Sequence, residues 1–278
     1  MGLFDDMFNK KKKSQEPQGV PLEQNDQPEE KDKGGFIGFV LLDSPKWDQK
    51  AILDTLSRKW GIRPDPGDEE DASEPNIAVI KVNGAMVALS LMPDKVPDGE
   101  AERYAAANYF WKEAVEVTAS HTAHILIAVV DQKLTPVEQG KLFVAVAASC
   151  LAQPGALGIY TSGTVLAPDH YLRVAEDMAH GELPIMDWIY VGLYRGEKGF
   201  CGYTYGLGTF GREELEVVDS QHAPGDIFEF LYDVCGYLLN NDVYLQHGET
   251  IGSSAEEKLP ITRSPGAALD GMTLKIGF

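Results

Sequence analysis

The chain has 278 residues, is 44% hydrophobic and 9% aromatic, and carries a formal charge of −19 from 24 basic and 43 acidic side chains. That is enough apolar material to bury a sizeable core, in one large domain or two small ones. A surface this acidic repels phosphate backbones and anionic lipid, which argues against a general nucleic-acid role and would suit a basic protein partner.

Residues 1–35 are expected to be a disordered tail and linker. The start, Met1 to Asn9 followed by Lys10–Lys13, has no apolar stretch or small-residue cleavage site of a secretory signal. Gly2 hints at myristoylation, but Asp6 stands where that motif needs Ser or Thr. Leu3, Phe4, Met7 and Phe8 fall on one helical face beside the lysines, a pattern able to touch a membrane surface or a partner groove. The blander reading is a frayed terminus. Residues 10–34 are Lys, Gln, Glu, Pro, Asp and Gly with almost no bulky apolar side chain, a composition that builds no core.

A single α+β domain is expected over 36–278. Gly35 to Leu42 reads as a buried strand, with the fold beginning at Phe36, and residues 46–60 space Trp47, Ile52, Leu53, Leu56 and Trp60 as a helix ended by Gly61. Ile77–Val82 and Ala85–Met92 flank Asn83-Gly84, the strongest short hairpin signal. A helix is expected from about Ala101 to Val115, a strand over His124–Val130 and a long apolar helix over Thr135–Leu151, with Pro136 in its first turn. Then come a strand (157–160), a helix (169–179), strands at 186–195 and 200–207 joined by Gly196–Gly199, and a strand at 214–218. Helix 226–239, opened by Pro224-Gly225, and late strands at 258–262 and 272–276 complete the pattern. Helices and hairpins mixed in this way predict an α+β fold: a mixed, largely antiparallel sheet with helices packed on it.

Cys150, Cys201 and Cys235 form no CxxC pair and are odd in number, so a disulfide framework is not indicated and a reducing, cytoplasmic setting fits. No run of about eighteen apolar residues exists to span a membrane.

Several stretches stand out together: Phe110–Ala114 with His121–Ile127, Gly158–Tyr160 with Leu183–Ile189, Thr204–Glu216 (TYGLGTFGREELE), Tyr237–Leu239 and Gly248–Gly252. This pattern resembles the bacterial family called Domain of Unknown Function 4261, from about Phe36 to the C-terminus. The resemblance brings no catalytic residue with it.

Thr204–Glu216 is the most unusual stretch. Gly206, Gly208 and Gly211 lie close together, followed by Arg212, Glu213, Glu214 and Glu216. Glycines at this density permit sharp turns or close approach to a ligand. No Gly-Lys-Ser/Thr follows, so it is not a P-loop, and the GxGxxG leads into a strand-like ELEVV instead of a helix. On a strand, Glu214 and Glu216 share a face that Arg212 joins: either a polar ligand or partner site with Thr209, or a solvated charged face.

His121 and His124 form HxxH, but a metal site needs a third ligand such as His247, Glu249 or Cys201 from afar, and no metal or other cofactor is expected. Ser162 lacks the GxSxG elbow and nothing marks Cys201 as activated. Trp111 and Trp188 read as core or pocket walls. Two functional readings result. One is a non-enzymatic protein-binding module of toxin-neutralising or regulatory type, by analogy, using an acidic face that includes Glu213, Glu214 and Glu216. The other is a hydrolase using Arg212, Glu213 and Glu216 with a histidine. The ligand or partner candidates are thus Thr209, Arg212, Glu213, Glu214, Glu216, His124 and Trp188.

Overall fold

The computed structural model describes residues 35–66, 75–131, 133–252, 254 and 257–278. The expectation for the tail at 1–34 lies outside the described residues.

Strand β1 (Phe36–Leu42) leads to helix α1 (Gln49–Trp60), whose first turn is capped by Asp48 accepting the Ala51 amide at 2.9 Å. The hairpin of β2 (Ile77–Val82) and β3 (Ala85–Met92) turns at Asn83-Gly84, both with positive φ, as the dipeptide predicts. The helix expected over 101–115 is instead two short ones, α2 (Glu100–Ala105) and α3 (Ala114–Ser120). Asn108 breaks it: its Oδ1 accepts the amides of Phe110 and Trp111 at 2.8 and 2.9 Å, and its Nδ2 donates to the Val165 carbonyl. A side chain that satisfies local backbone in this way competes with helix.

Strand β4 (Ala123–Val130) precedes α4 (Pro136–Leu151), opened by a capping box between Thr135 and Glu138. From Gln139 onward nearly all of α4 is buried, which explains its continuous apolar sequence. There follow β5 (Ala156–Thr161), the short β6 (Thr164–Leu166), α5 (Pro168–Asp177) and α6 (Ile185–Trp188). The strand expected over 186–195 therefore starts later, as β7 (Tyr190–Arg195). It pairs with β8 (Phe200–Tyr205). A 3-10 turn over Leu207–Phe210 leads to β9 (Leu215–Ser220), then α7 (Pro224–Asn240), β10 (Thr250–Ile251), β11 (Leu259–Pro265) and β12 (Met272–Ile276).

The strands form two sheets where one was expected. The first runs β2-β3-β4-β1-β5-β6, every pairing antiparallel; the second runs β10-β11-β12-β9-β8-β7, with β12 and β9 parallel and the rest antiparallel. The fold is α+β. Helix α4 lies on the inner face of the first sheet beside α1, and α7 packs on β7 and β8 of the second. One hydrophobic core runs through both sheets. At its centre Phe36, Phe143, Trp188 and Phe210 pack ring on ring at centroid distances of 5.0–5.8 Å.

The outer face of the first sheet is covered only in part. Ala101, Ala105 and Ala114 of α2 and α3 close it over Leu41, Tyr160 and Val165 as a second small core. Among the described residues it stays open over β2, β3, β4 and the start of β1. Cross-strand register sets Val79, Ala88, Ala128 and Ile37 in one row, Lys81, Met86 and Val130 in the row on one side of it, and Ile77, Ser90, Leu126 and Phe39 in the row on the other. Ile37, Val79 and Met86 are 56%, 50% and 45% exposed.

Candidate functional site

The Gly206–Glu216 stretch folds back on itself. Gly206 holds φ at 126° and packs against the Trp188 backbone, a place where an added Cβ would lie 2.4 Å from the Trp188 carbonyl oxygen. Gly211 closes the 3-10 turn in the left-handed region at φ 71°. Thr209 sits inside that turn, its amide donating to the Gly206 carbonyl at 3.2 Å. Trp188 is buried beneath it and donates from Nε1 to the Gly140 carbonyl at 3.2 Å. Its placement agrees with the reading as core.

The charged residues that follow disperse to separate partners. Arg212, nearly buried, donates to the carbonyls of Val243, Phe210 and Leu238 and to Asp242 at 2.7–3.4 Å, and Tyr244 lies over its guanidinium. It pins the C-terminal end of α7, where backbone carbonyls lack helical partners and cations are favoured. Glu213 accepts Arg263 Nε on both oxygens at 2.8 and 2.9 Å. Glu214 turns back to accept the amides of Gly206 and Gly208 and the Thr204 hydroxyl at 2.7–3.0 Å. Burial raises its carboxyl above the ordinary glutamate value, against the pull of those donors.

Glu216 accepts the amides of Ala267 and Ala268 and the Thr273 hydroxyl, and lies 3.0 Å from Lys275 Nζ. Burial acts to raise its carboxyl, but the Ala268 and Ala267 amides, Lys275 and Thr273 outweigh it and hold the group below the ordinary value. An exposed acidic strand face carrying Glu214 and Glu216 does not form. Strand β9 is interior to its sheet, between β8 and β12, and the β11–β12 loop closes over Glu216, which is 1% exposed.

Arg212 and Glu213 still meet at a cavity of about 210 Å³, with Tyr244, Gln246, His247 and Arg263 at its walls and Leu215, Leu238, Leu245 and Leu274 also lining it. His247 Nδ1 accepts the Arg263 amide at 3.2 Å, which puts the imidazole proton on Nε2. The sequence reading named His247 as a remote metal ligand and not as a neighbour of Arg212. Only the return of the chain between α7 and β11 brings the two together.

The HxxH histidines are held by backbone. His121 Nδ1 donates to the Thr118 carbonyl and Nε2 accepts the Val96 amide at 3.0 Å. Burial lowers the pKa of His124, whose Nδ1 donates to the Asp94 carbonyl at 2.8 Å while its ring sits edge-on to Phe39. Together the pair fastens the 94–96 connection to the sheet. Cys201 is buried, its sulfur accepting the Asp219 amide at 3.1 Å. Among the described residues no group of three metal-ligating side chains assembles.

What sequence reasoning missed is the open apolar face of the first sheet. Its signal was present: IAVIKV, AMVALSLM and HILIAVV are apolar at nearly every position. Antiparallel strands with one solvated face alternate apolar with polar, so runs broken only by Lys81 and Ser90 leave the outward face largely apolar. Here only one of the two faces is covered.

The molecule is thus an α+β protein of two largely antiparallel sheets with its fingerprint in the second. The family model described as Domain of unknown function (DUF4261) matches residues 203–277, from β8 to β12, and so contains the glycine-rich stretch and the cavity. The matched part is shorter than the span of resemblance read from the sequence. No curated protein and no solved structure matches the chain.

Proposed function

We propose that this chain is a protein-binding module without catalytic turnover, which engages its partner through the open face of the first sheet. The observation that supports this reading most is the exposure of Ile37, Val79, Met86 and Val130 on four adjacent strands, a largely apolar face bordered by Lys81. Exposed apolar patches on this scale mark interaction sites. The charge of −19 favours a basic partner and would speed its approach. The acidic contact surface envisaged around Glu213, Glu214 and Glu216 gives way to this apolar one, because those carboxylates already serve the fold. A regulatory or neutralising role in the reducing cytoplasm is the kind of task open to such a module, and buried, unpaired thiols at Cys150, Cys201 and Cys235 are compatible with it.

Affinity capture followed by mass spectrometry tests the reading, comparing the native chain with a Val79→Glu, Met86→Glu double variant. A basic protein retained by the native chain and lost by the folded variant is the expected result. Retention by both would sink it.

A hydrolase remains the second reading, favoured by Arg212, Glu213 and His247 lining one cavity. It predicts turnover of a small substrate that His247→Ala or Glu213→Gln abolishes at unchanged melting temperature.

A further inference from the structure

We propose that the cavity between the end of α7 and strands β9, β11 and β12 binds a small monocarboxylic acid, its apolar body on a leucine floor and its carboxylate at Arg263 and His247. The site is built on the second sheet, apart from the open face of the first, and binding there requires no turnover.

The floor is apolar. Leu215, Leu238 and Leu274 are buried and line the cavity together with the partly buried Leu245. A dry cavity of roughly 150 Å³ admits a benzene ring, so a volume of about 210 Å³ has room for a ring and its carboxylate.

The walls are polar, and they hold more donors than the protein uses. Arg263 gives its Nε–H to Glu213, while among the described residues its Nη1 and Nη2 have no partner. His247 accepts the Arg263 amide on Nδ1, and the proton this leaves on Nε2 has no partner among the described residues either. Arg212, nearly buried, spends Nε on Val243, Nη2 on Leu238 and Asp242, and Nη1 on Phe210, which leaves one Nη1–H of a buried cation unspent among the described residues. A guanidinium fork matches the two oxygens of a carboxylate. An apolar pocket with a few converging polar groups is the usual form of a small-molecule site.

Charge selects the ligand further. The lining residues carry two cations, Arg212 and Arg263, against the one carboxylate of Glu213. Asp242 stands in solvent outside the lining, and Glu249 accepts the Gln246 amide at 2.8 Å. The walls therefore lack one negative charge, which a monocarboxylate supplies. The chain's net charge of −19 acts from further away, and salt at physiological strength screens it beyond about 8 Å. The loop that carries Tyr244 to His247 is already held in place. The Val243 amide donates to the Leu238 carbonyl at 3.0 Å, Gly248 to Ile261 at 2.9 Å and Ile261 to Glu249 at 2.9 Å, so a ligand has little left to order.

The test titrates the full-length chain with benzoate, following leucine methyl and His247 ring signals by NMR. Benzamide serves as the uncharged match, and inorganic phosphate as the anion without an apolar body. We expect saturable shifts at Leu238, Leu274 and His247 with benzoate, at a dissociation constant on the order of a millimolar, and binding about tenfold weaker for the other two probes. Arg263→Gln removes a half-exposed ion pair at small loss to the fold, and it should weaken benzoate about tenfold. His247→Gln should weaken it several-fold, and in both variants the remaining methyl signals should stay native. Equal binding of benzoate and benzamide overturns the proposal, because the charge is then not read. Phosphate bound as tightly as benzoate overturns it too, because the leucine floor then contributes nothing. So do shifts that never saturate, or that are the same in folded Arg263→Gln and the native chain. Partner capture that depends on Val79 and Met86 reports on the sheet face alone. Its failure removes the functional reading and leaves this site standing, and failure of benzoate to bind leaves the face standing.

Discussion

Gly206 and Gly211 look alike in the sequence, but their surroundings separate them. Both have positive φ, yet a Cβ at Gly206 would strike the Trp188 carbonyl while Gly211 faces open space. Gly206→Ala should therefore cost about 3 kcal/mol or more, and Gly211→Ala about 1 kcal/mol, measured by urea denaturation. Equal costs would show that backbone strain alone matters at both. Glu214 and Glu216 diverge in the same manner. Glu216 has a lowered folded pKa, so its contribution is present above the ordinary glutamate value and fades as pH falls through the lowered one. Glu216→Gln should cost about 2 kcal/mol at neutral pH, with the gap to the native chain closing on acidification. Glu214 is raised by burial, so its ionised form opposes folding; Glu214→Gln should be the milder change at neutral pH. A melting series against pH decides both.

Among the elements, α7 depends on a residue far from it in sequence. Arg212 satisfies the Leu238 carbonyl in the helix's last turn and the Val243 carbonyl beyond it. Arg212→Ala should cost about 2–4 kcal/mol, and amide exchange should show early opening of residues 236–245. A loss of stability without local opening would mean that Arg212 acts elsewhere. Helix α6 carries the opposite case. Asp187 is buried between α5 and α7, and among the described residues neither of its oxygens has a hydrogen-bond donor. Burial, with nearby Asp177, raises its pKa well above the ordinary aspartate value. A raised carboxyl stabilises the fold below the ordinary value and loses that contribution as pH rises through the raised one. Asp187→Asn should therefore remove the loss of stability that sets in as pH rises above the ordinary aspartate value. An unchanged profile would mean that the carboxylate is ionised in the fold after all.

For the molecule as a whole, we propose that 36–278 unfolds as one unit, since one core runs through both sheets; the expected result is a single cooperative transition. Two resolved calorimetric peaks would divide it. Net charge also acts at this scale: association with a basic partner should slow as salt rises, while the apolar contact itself persists. Among the described residues no helix is long and apolar enough to cross a membrane.

Local rules settled much of this protein in advance. The hairpin at Asn83-Gly84, the capped helix at Thr135 and the turn at Gly196–Gly199 follow from preferences that act within a few residues. Asn108 acts on the amides of Phe110 and Trp111 within reach of local rules, but the Val165 carbonyl that anchors its Nδ2 is distant along the chain. The candidate site was legible only as a list of residue types. Arg212, Glu213, Glu214 and Glu216 were singled out, but sequence spacing could not assign their partners: Asp242, Arg263, the Gly206 and Gly208 amides, and the 267–268 amides. The apolar runs of β1 to β4, broken only by Lys81 and Ser90 in β2 and β3, marked both faces as largely apolar. Which face α1 and α4 would cover, and which would stay open, was decided only by tertiary packing, because a strand's alternation marks its two sides without saying what arrives to bury them.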